Sequence, residues 1–312
     1  MISPTDALLR YRPWRGTLRP PVYAALAIAR AGLRTMLRRK LFWALYGFAL
    51  MIFLFFFYGQ YLVVWITLQT ENQTAQFAGA TVKLGDLTKF LGNLQLSGTG
   101  HTFGNFIWFE GYIAIIVLAF AGSVLVGNDF HHGSLPFYLS KPIARRHYVL
   151  GKCLAVGLLV NLLTTVPALV LFVQAGLLYD WQTYYLDNLR SLFGILAYGL
   201  VLTVTLSLLL VATAVAVRRT VPMVMAWSTL FVLCRAVADF LANAQMLDPA
   251  WRLIDLWNDL YVCGMWFLGA PIDANRYGAQ PEAWQAFLVV GGACAAATAY
   301  LWNRVKAVEV VG

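Results

Sequence analysis

The sequence predicts an all-α polytopic membrane protein. Of its 312 residues, 60% are hydrophobic and only 12% are charged, and the mean hydropathy is +0.68. A water-soluble domain with so few charged residues could not cover its surface. Backbone groups in hydrocarbon must hydrogen-bond within their own segment, so the long apolar runs are expected to be helices. The alternating segments of about ten residues that a membrane β-barrel needs are not found in the sequence.

Six apolar runs are long enough to cross a bilayer. A helix of about 20 residues spans the hydrocarbon core of about 30 Å. The predicted spans are approximately Leu41–Ile66, Phe106–Val126, Cys153–Leu178, Leu192–Val217, Val221–Phe240 and Trp284–Trp302. They predict a transmembrane domain over residues 41–302, after an arm and amphipathic helix at residues 1–40 and before a tail at residues 303–312.

The basic segment before the first span predicts an amphipathic helix. Residues 1–21 are rich in proline and arginine, which favours irregular structure, and a helix can begin after Pro21. An apolar stripe follows at helical spacing, formed by Val22, Leu26, Ala29, Leu33 and Met36, beside a basic row of Arg30, Arg34 and Arg38. Such a helix lies in the membrane interface. It is either a simple positively charged anchor or an elbow helix that also contacts a cytosolic partner.

Lysine and arginine residues are distributed unequally about the predicted spans. Seventeen lie in the N-terminal arm, the connection between spans two and three, the Arg218–Arg219 turn and the tail, whereas five lie in the loops of the opposite side. Cytoplasmic loops carry the excess of positive charge, so both termini and residues 127–152 are predicted to be cytosolic. The net charge of +9 needs no nucleic-acid partner, because topology and anionic lipid headgroups account for it.

The outer segment before the last span predicts a second amphipathic helix. Its polar face would be formed by Asp248, Arg252, Asp255 and Asp259, and its apolar face by Leu253, Ile254, Trp257, Leu260 and Tyr261. A helix of this kind lies flat on the outer leaflet or enters it as a re-entrant turn. A passive lid and a gate both fit this pattern.

Three charged side chains fall within predicted spans, where charge is costly. Arg235 and Asp239 are four residues apart on one face of span five, in its outer half. They form either a structural ion pair or a polar position on a translocation path. Glu110 is expected near the outer end of span two, where it can reach water.

The sequence carries no recognisable catalytic or nucleotide-binding motif. Gly151-Lys152 is followed by Cys153 and lacks the upstream glycine of a P-loop. His131 and His132 are neighbours that would not converge on one ion, and the cysteines form no metal-binding cluster. We therefore predict that the chain is not an enzyme, has no catalytic or metal-binding residues and binds no cofactor of its own.

The connection between spans two and three is basic and rich in turn residues. Within it, Ser134–Ser140 reads SLPFYLS and presents Leu135, Phe137, Tyr138 and Leu139 between charged stretches. A short apolar helix in a cytosolic loop fits the groove of another protein. From the residues alone, an equally good interpretation is that it lies on the membrane surface.

The same connection resembles the signature loop of type-2 ABC exporter permeases. The resemblance rests on an acidic residue followed by a Gly-Ser-Leu, then a Lys-Pro, then a Gly-Lys: Asp129, Gly133, Ser134, Leu135, Lys141, Pro142, Gly151 and Lys152. Ser134 stands where threonine is usual in that family, Ala144-Arg145 replaces Ser-Arg, and Asp129 replaces glutamate. The motif covers about 25 residues, and the six-span plan with its basic N-terminal helix extends the similarity along most of the chain.

The resemblance implies a transport function. Two six-span subunits, as a homodimer or heterodimer, would form the pore in the bacterial cytoplasmic membrane, and a cytosolic ABC ATPase subunit holding ATP and Mg²⁺ would pair with each. The Asp129–Lys141 loop would be the coupling helix, docking through Asp129, Gly133, Ser134, Leu135, Phe137, Tyr138, Leu139, Lys141 and Pro142. Arg30, Arg34 and Arg38 would belong to the elbow helix. The implied activity is ATP-driven export of a hydrophobic or amphipathic substrate; the alternative is a non-transporting membrane scaffold or sensor subunit.

Overall fold

The computed structural model describes residues 20–67, 74–77, 80–83, 95–127, 129, 145–217, 219–244, 248–272 and 274–304. Within these residues, six helices are long and apolar enough to cross a membrane. The fold is helical, as the sequence predicts, apart from one short antiparallel hairpin in the first outer loop. The strands of that hairpin are Thr74–Phe77 and Ala80–Lys83.

The spans have the following bounds. Span one is Lys40–Thr67, span two is Gly100–Gly122 followed by a π-helical turn at Ser123–Gly127, and span three is Arg145–Leu163 with Thr165–Leu178. Span four is Leu189–Val217 and span six is Ala283–Arg304. Span five runs through Thr220–Ser228, Thr229–Leu233, Cys234–Asp239 and Phe240–Ala244, of which the second and fourth are π-helical. Shorter helices are Pro21–Leu37, Trp181–Asp187, Pro249–Ile254, Leu256–Leu268 and Ala274–Tyr277.

Span three is interrupted at Thr164. Pro167 has no backbone N–H, and its ring crowds the carbonyl of Leu163, so the regular helical bond between these two residues cannot form. The Thr164 hydroxyl donates to the carbonyl of Val160 at 2.8 Å at the same place. The break divides the span into the two helices Arg145–Leu163 and Thr165–Leu178.

Span two lies at the centre of the bundle. It packs against spans one, three, four and five, and its buried residues extend along its whole length. Spans one, five and six instead leave most of their side chains on the outside, including Phe48, Met51, Val232 and Leu288. These large apolar side chains face lipid or another subunit.

The N-terminal helix Pro21–Leu37 packs against the start of span three. Its buried face consists of Ala25, Ile28, Ala29, Gly32 and Met36. Two residues of the predicted stripe lie outside this contact, since Val22 is 62% exposed and Leu26 is 49% exposed. Small residues take their place at the contact because the two helix backbones approach closely.

The outer helix Leu256–Leu268 enters the bundle, where it packs against spans two, four and six. The prediction of one helix with a continuous polar face from Asp248 to Asp259 is wrong, because the chain forms a separate 3₁₀ turn at Pro249–Ile254. Asp255 ends that turn and caps the next helix by accepting from the backbone N–H of Trp257 at 3.0 Å. Helical periodicity cannot be continued through such a break, so residues of the predicted water-facing side become buried: Arg252, Asp255 and Asp259.

Candidate functional site

An ion pair closes the base of the connection between spans two and three. Asp129 Oδ2 lies 2.7 Å from Lys152 Nζ and accepts a hydrogen bond from the hydroxyl of Tyr148 at 2.8 Å. Lys152 Nζ also donates to the carbonyl of Leu125 in the π-helical turn that ends span two, and it lies 5.6 Å from the centre of the Tyr148 ring. Tyr148 and Lys152 are both buried. The two ends of residues 130–144 are therefore tied to each other and to the body of the protein.

Most of the predicted docking residues lie outside the described residues. These are Gly133, Ser134, Leu135, Phe137, Tyr138, Leu139, Lys141 and Pro142. Asp129 is described, and its carboxylate is engaged by Lys152 and Tyr148 of the same chain. This arrangement suits a residue that positions the connection. The sequence analysis missed Tyr148, although its spacing of four from Lys152 places both side chains on one helical face.

Two glycines allow the N-terminal helix to approach span three closely. A Cβ atom added at Gly151 would lie 2.8 Å from the carbonyl oxygen of Ala25 and 2.9 Å from the Cβ of Ile28. A Cβ atom added at Gly32 would lie 3.2 Å from Leu125 and 3.3 Å from Ala155. The N-terminal helix is therefore packed against span three within one turn of Lys152.

The basic row of the N-terminal helix points away from this contact. Arg30, Arg34 and Arg38 are all exposed. On the opposite side of the same helix lie the small residues that meet span three. One face of the helix is thus charged and exposed, and the opposite face is apolar and packed against span three. This geometry fits both the anchor and the elbow interpretation.

Arg235 and Asp239 line a cavity at the outer end of the bundle. The cavity has a volume of about 570 Å³, and its polar and aromatic walls come from spans two and five and from the outer segment. Arg235 Nε lies 3.6 Å from Asp239 Oδ2, and Arg252 Nη1 lies 3.7 Å from Asp239 Oδ1. The predicted ion pair thus forms, and it forms in the wall of a cavity.

Aromatic rings hold the Arg235 guanidinium in place. Its central carbon lies 5.0 Å from the centre of the Trp108 ring and 5.4 Å from that of Tyr112, both on span two. A cation over an aromatic face is stabilised by the ring quadrupole. The sequence analysis missed Trp108 and the contact of Arg252 with Asp239, because these residues come from other elements and no spacing rule connects them.

A buried carboxylate lies behind this cavity, on the outer helix. Asp259 is fully buried, and neither carboxylate oxygen has a hydrogen-bond partner among the described residues. Burial raises the pKa of Asp259 to about 8, with a further contribution from the negative charge of Asp255. Asp259 is therefore largely protonated at neutral pH, unlike an ordinary aspartate.

Glu110 does not reach water as predicted. It lies ten residues into span two, about 15 Å along the helix from Gly100, and only 1% of its surface is exposed. The residues that separate it from the outer end are themselves mostly buried, since span two runs through the centre of the bundle.

Comparison with known proteins identifies the chain's family. Residues 26–250 match the family described as ABC-2 family transporter protein, and this range includes most of the N-terminal helix, the first five spans and the connection between spans two and three. No curated protein matches the chain. The match covers more than two thirds of the sequence and agrees with the six-span fold. The chain therefore belongs to the ABC-2 family of transporter proteins, as the permease subunit of an ABC transporter.

Proposed function

We propose that this permease exports a hydrophobic or amphipathic substrate, driven by a separate ABC ATPase that docks on the connection between Asp129 and Lys141. One observation carries the proposal: the ends of this connection are fixed to spans two and three by the Asp129–Lys152 ion pair. A force applied to a loop moves a helix bundle only if the base of the loop does not yield. A buried ion pair that is also hydrogen-bonded resists separation, because either charge alone would be costly to bury.

The N-terminal helix extends this mechanical connection. It contacts span three at Gly151, one residue from Lys152, through close backbone packing. Because protein interiors are packed without slack, a tilt of span three carries the N-terminal helix with it. The proposal makes this helix the elbow, with Arg30, Arg34 and Arg38 facing the headgroups or the ATPase.

The proposal places the energy source in the partner. The sequence has no P-loop of its own, so ATP and Mg²⁺ would be held by the ATPase subunit. A second copy of the permease, identical or related, would complete the translocation path. Both termini and the docking connection would face the cytosol of a bacterial cell, as the charge distribution predicts.

The docking proposal is tested by purifying the tagged permease from native membranes and measuring the ATP hydrolysis that accompanies it. We expect Leu135→Asp and Phe137→Asp to lower the recovered hydrolysis at least tenfold, because a charge in an apolar groove removes most of the contact energy. Leu186→Asp is the matched control: it makes the same change at a side chain that is 71% exposed in the opposite, outer connection.

Two outcomes contradict the proposal in different ways. If Leu135→Asp and Phe137→Asp recover as much ATPase as the wild type, the docking surface lies elsewhere. If the wild type recovers no ATP hydrolysis at all, the scaffold or sensor alternative is favoured.

Asp129→Asn separates docking from coupling. The ATPase should still bind this variant, but its rate of ATP hydrolysis should no longer respond to substrate, because loss of the ion pair with Lys152 loosens the base of the connection.

A further inference from the structure

Glu110 is a buried carboxylate without a partner at the middle of the membrane. It is one of 28 helical residues that form span two, and neither of its carboxylate oxygens accepts a hydrogen bond from any described residue. No lysine, arginine or histidine of the described part of the chain pairs with it. A charge or an unpaired polar group in this position is costly. Such a group therefore indicates a site at which something binds.

A small cavity provides the space for a ligand. It has a volume of about 190 Å³ and lies between spans one, two and three, with Glu110 in its wall. Its other walls are almost entirely apolar, with Phe53, Leu163 and Val170 among them. Tyr46 supplies the only other polar side chain of the described lining. A ligand here must be apolar apart from the group that meets Glu110.

The helix break of span three lies at the same cavity. Pro167 has no N–H to offer the carbonyl of Leu163, so this carbonyl lacks its regular helical donor. Both residues line the cavity that holds Glu110. The helix break in span three and the buried carboxylate of span two therefore meet at one cavity. A complementary ligand would offer N–H donors and positive charge.

The cavity opens on the lipid side of the bundle. Leu50 of span one and Val166 and Val170 of span three line it, and each of these side chains is between 44% and 49% exposed. An apolar molecule dissolved in the bilayer can therefore enter the cavity sideways, between spans one and three. It need not cross the water-facing ends of the protein.

The chemistry of the walls excludes other classes of ligand. An anionic headgroup would meet a carboxylate and a carbonyl with no cation to balance it. Calcium and magnesium ions take six or more oxygen ligands, and this apolar lining offers too few. The volume is below the usual 300–1,000 Å³ of a pocket that encloses a whole drug-sized ligand, so only a small cationic group and the first carbons of its chain would fit.

We propose that Glu110 binds the protonated amine of an amphipathic substrate that enters from the bilayer between spans one and three. The carboxylate would pair with the ammonium group, the Leu163 carbonyl would accept one of its N–H bonds, and the apolar chain would extend toward lipid. The inference names the substrate class of the proposed exporter and so rests on the proposed function.

The test measures binding to the full-length permease in phosphatidylcholine nanodiscs, with no ATPase present. The probes are a long-chain diamine labelled with dansyl at one end, whose other amine is protonated, and its N-acetyl derivative, which is uncharged. Dansyl fluorescence is corrected for binding to empty nanodiscs. We expect the wild type to bind the amine at least tenfold more tightly than the amide.

Two variants assign the effect to Glu110. Glu110→Gln should bind amine and amide equally, whereas Glu282→Gln, the same substitution at an exposed outer position, should keep the wild-type preference. Equal binding of the two probes by the wild type would overturn the proposal even if Glu110→Gln failed to fold. An undiminished preference in Glu110→Gln would also overturn it. Because no ATPase takes part, loss of docking in the earlier experiment leaves this result unaffected, and the reverse also holds.

Discussion

Burial of Asp259 couples the stability of the outer helix to pH. Its pKa is raised from an ordinary value of 3.8 to about 8, chiefly by burial. Between these two values the folded protein binds more protons than the unfolded chain, so the free energy of unfolding falls as pH rises. The stabilisation of the protonated form is complete below about pH 4 and is lost as pH passes through 8.

We therefore expect the thermal unfolding midpoint of the purified permease to fall between pH 5 and pH 8.5. Asp259→Asn should flatten this dependence, because the amide carries no titrating proton. Asp187→Asn, at an exposed position in the outer helix Trp181–Asp187, should keep the wild-type slope. A slope in Asp259→Asn equal to that of the wild type would show that another group is responsible.

The spacing of residues along the sequence predicts one of the side-chain contacts in the outer cavity but not the others. Arg235 and Asp239 are neighbours on one helix, so their spacing of four predicts their contact. Arg252 reaches the same carboxylate from a 3₁₀ turn, and Trp108 reaches the guanidinium from span two. No local pattern connects these residues, since contacts between elements depend on how the helices pack.

At the scale of elements, the contact between the N-terminal helix and span three depends on the absence of a side chain at Gly151. Gly151→Ala would place a methyl group 2.8 Å from the Ala25 carbonyl oxygen, and overpacking of this kind costs about 1–3 kcal/mol. We expect a lower thermal midpoint and weaker stimulation of ATP hydrolysis by substrate, because the two helices must separate.

Gly291→Ala in span six is the matched control for this prediction. An added Cβ at Gly291 meets nothing within 4 Å. Both glycines lie inside helices, so each substitution gains about 1 kcal/mol of helix propensity, and a difference between the variants reports the contact alone. Equal midpoints for the two proteins would mean that the N-terminal helix is not held at Gly151.

Hydrophobic periodicity identified the N-terminal helix but not the face that packs against span three. The pattern favoured the large side chains Val22 and Leu26, whereas the structure buries Ala25 and Gly32. In water, large apolar residues mark the buried side of a helix. Beside lipid they gain nothing by facing protein, and close helix contacts favour small residues instead.

At the scale of the whole molecule, the positive-inside distribution predicts that the docking connection and both termini share the cytosolic side. Cysteines introduced singly into a chain without its native cysteines can test this with a membrane-impermeant maleimide. Gln182→Cys, exposed in the outer helix Trp181–Asp187, should react in intact cells. Arg219→Cys, exposed in the turn between spans four and five, should react only after permeabilisation.

The reverse labelling pattern would place residues 130–144 outside the cell, where no ATP is available. That result would remove the docking proposal together with the topology. Labelling of both positions in intact cells would point to damaged membranes, and a cysteine in a cytosolic marker protein controls for this.

Several faces of the helix bundle are open to lipid or to further subunits. Span two is enclosed by its neighbours, while spans one, five and six expose apolar side chains along much of their length. In a membrane, lipid tails cover apolar surfaces of this kind as well as a second permease subunit would. The exposed faces therefore accommodate the dimer implied by the family without selecting one of them.

The sequence by itself determined the class of the protein, its six spans and its family. Each of these follows from local quantities: the composition, the length of the apolar runs, and the short motif around Asp129 and Lys152. Only the tertiary structure decided which side chains meet. It paired Asp129 with Lys152, buried Asp259 and enclosed Glu110 between three spans. These outcomes depend on helix packing, and in a chain that is apolar on nearly every face, the sequence pattern does not indicate which faces pack together.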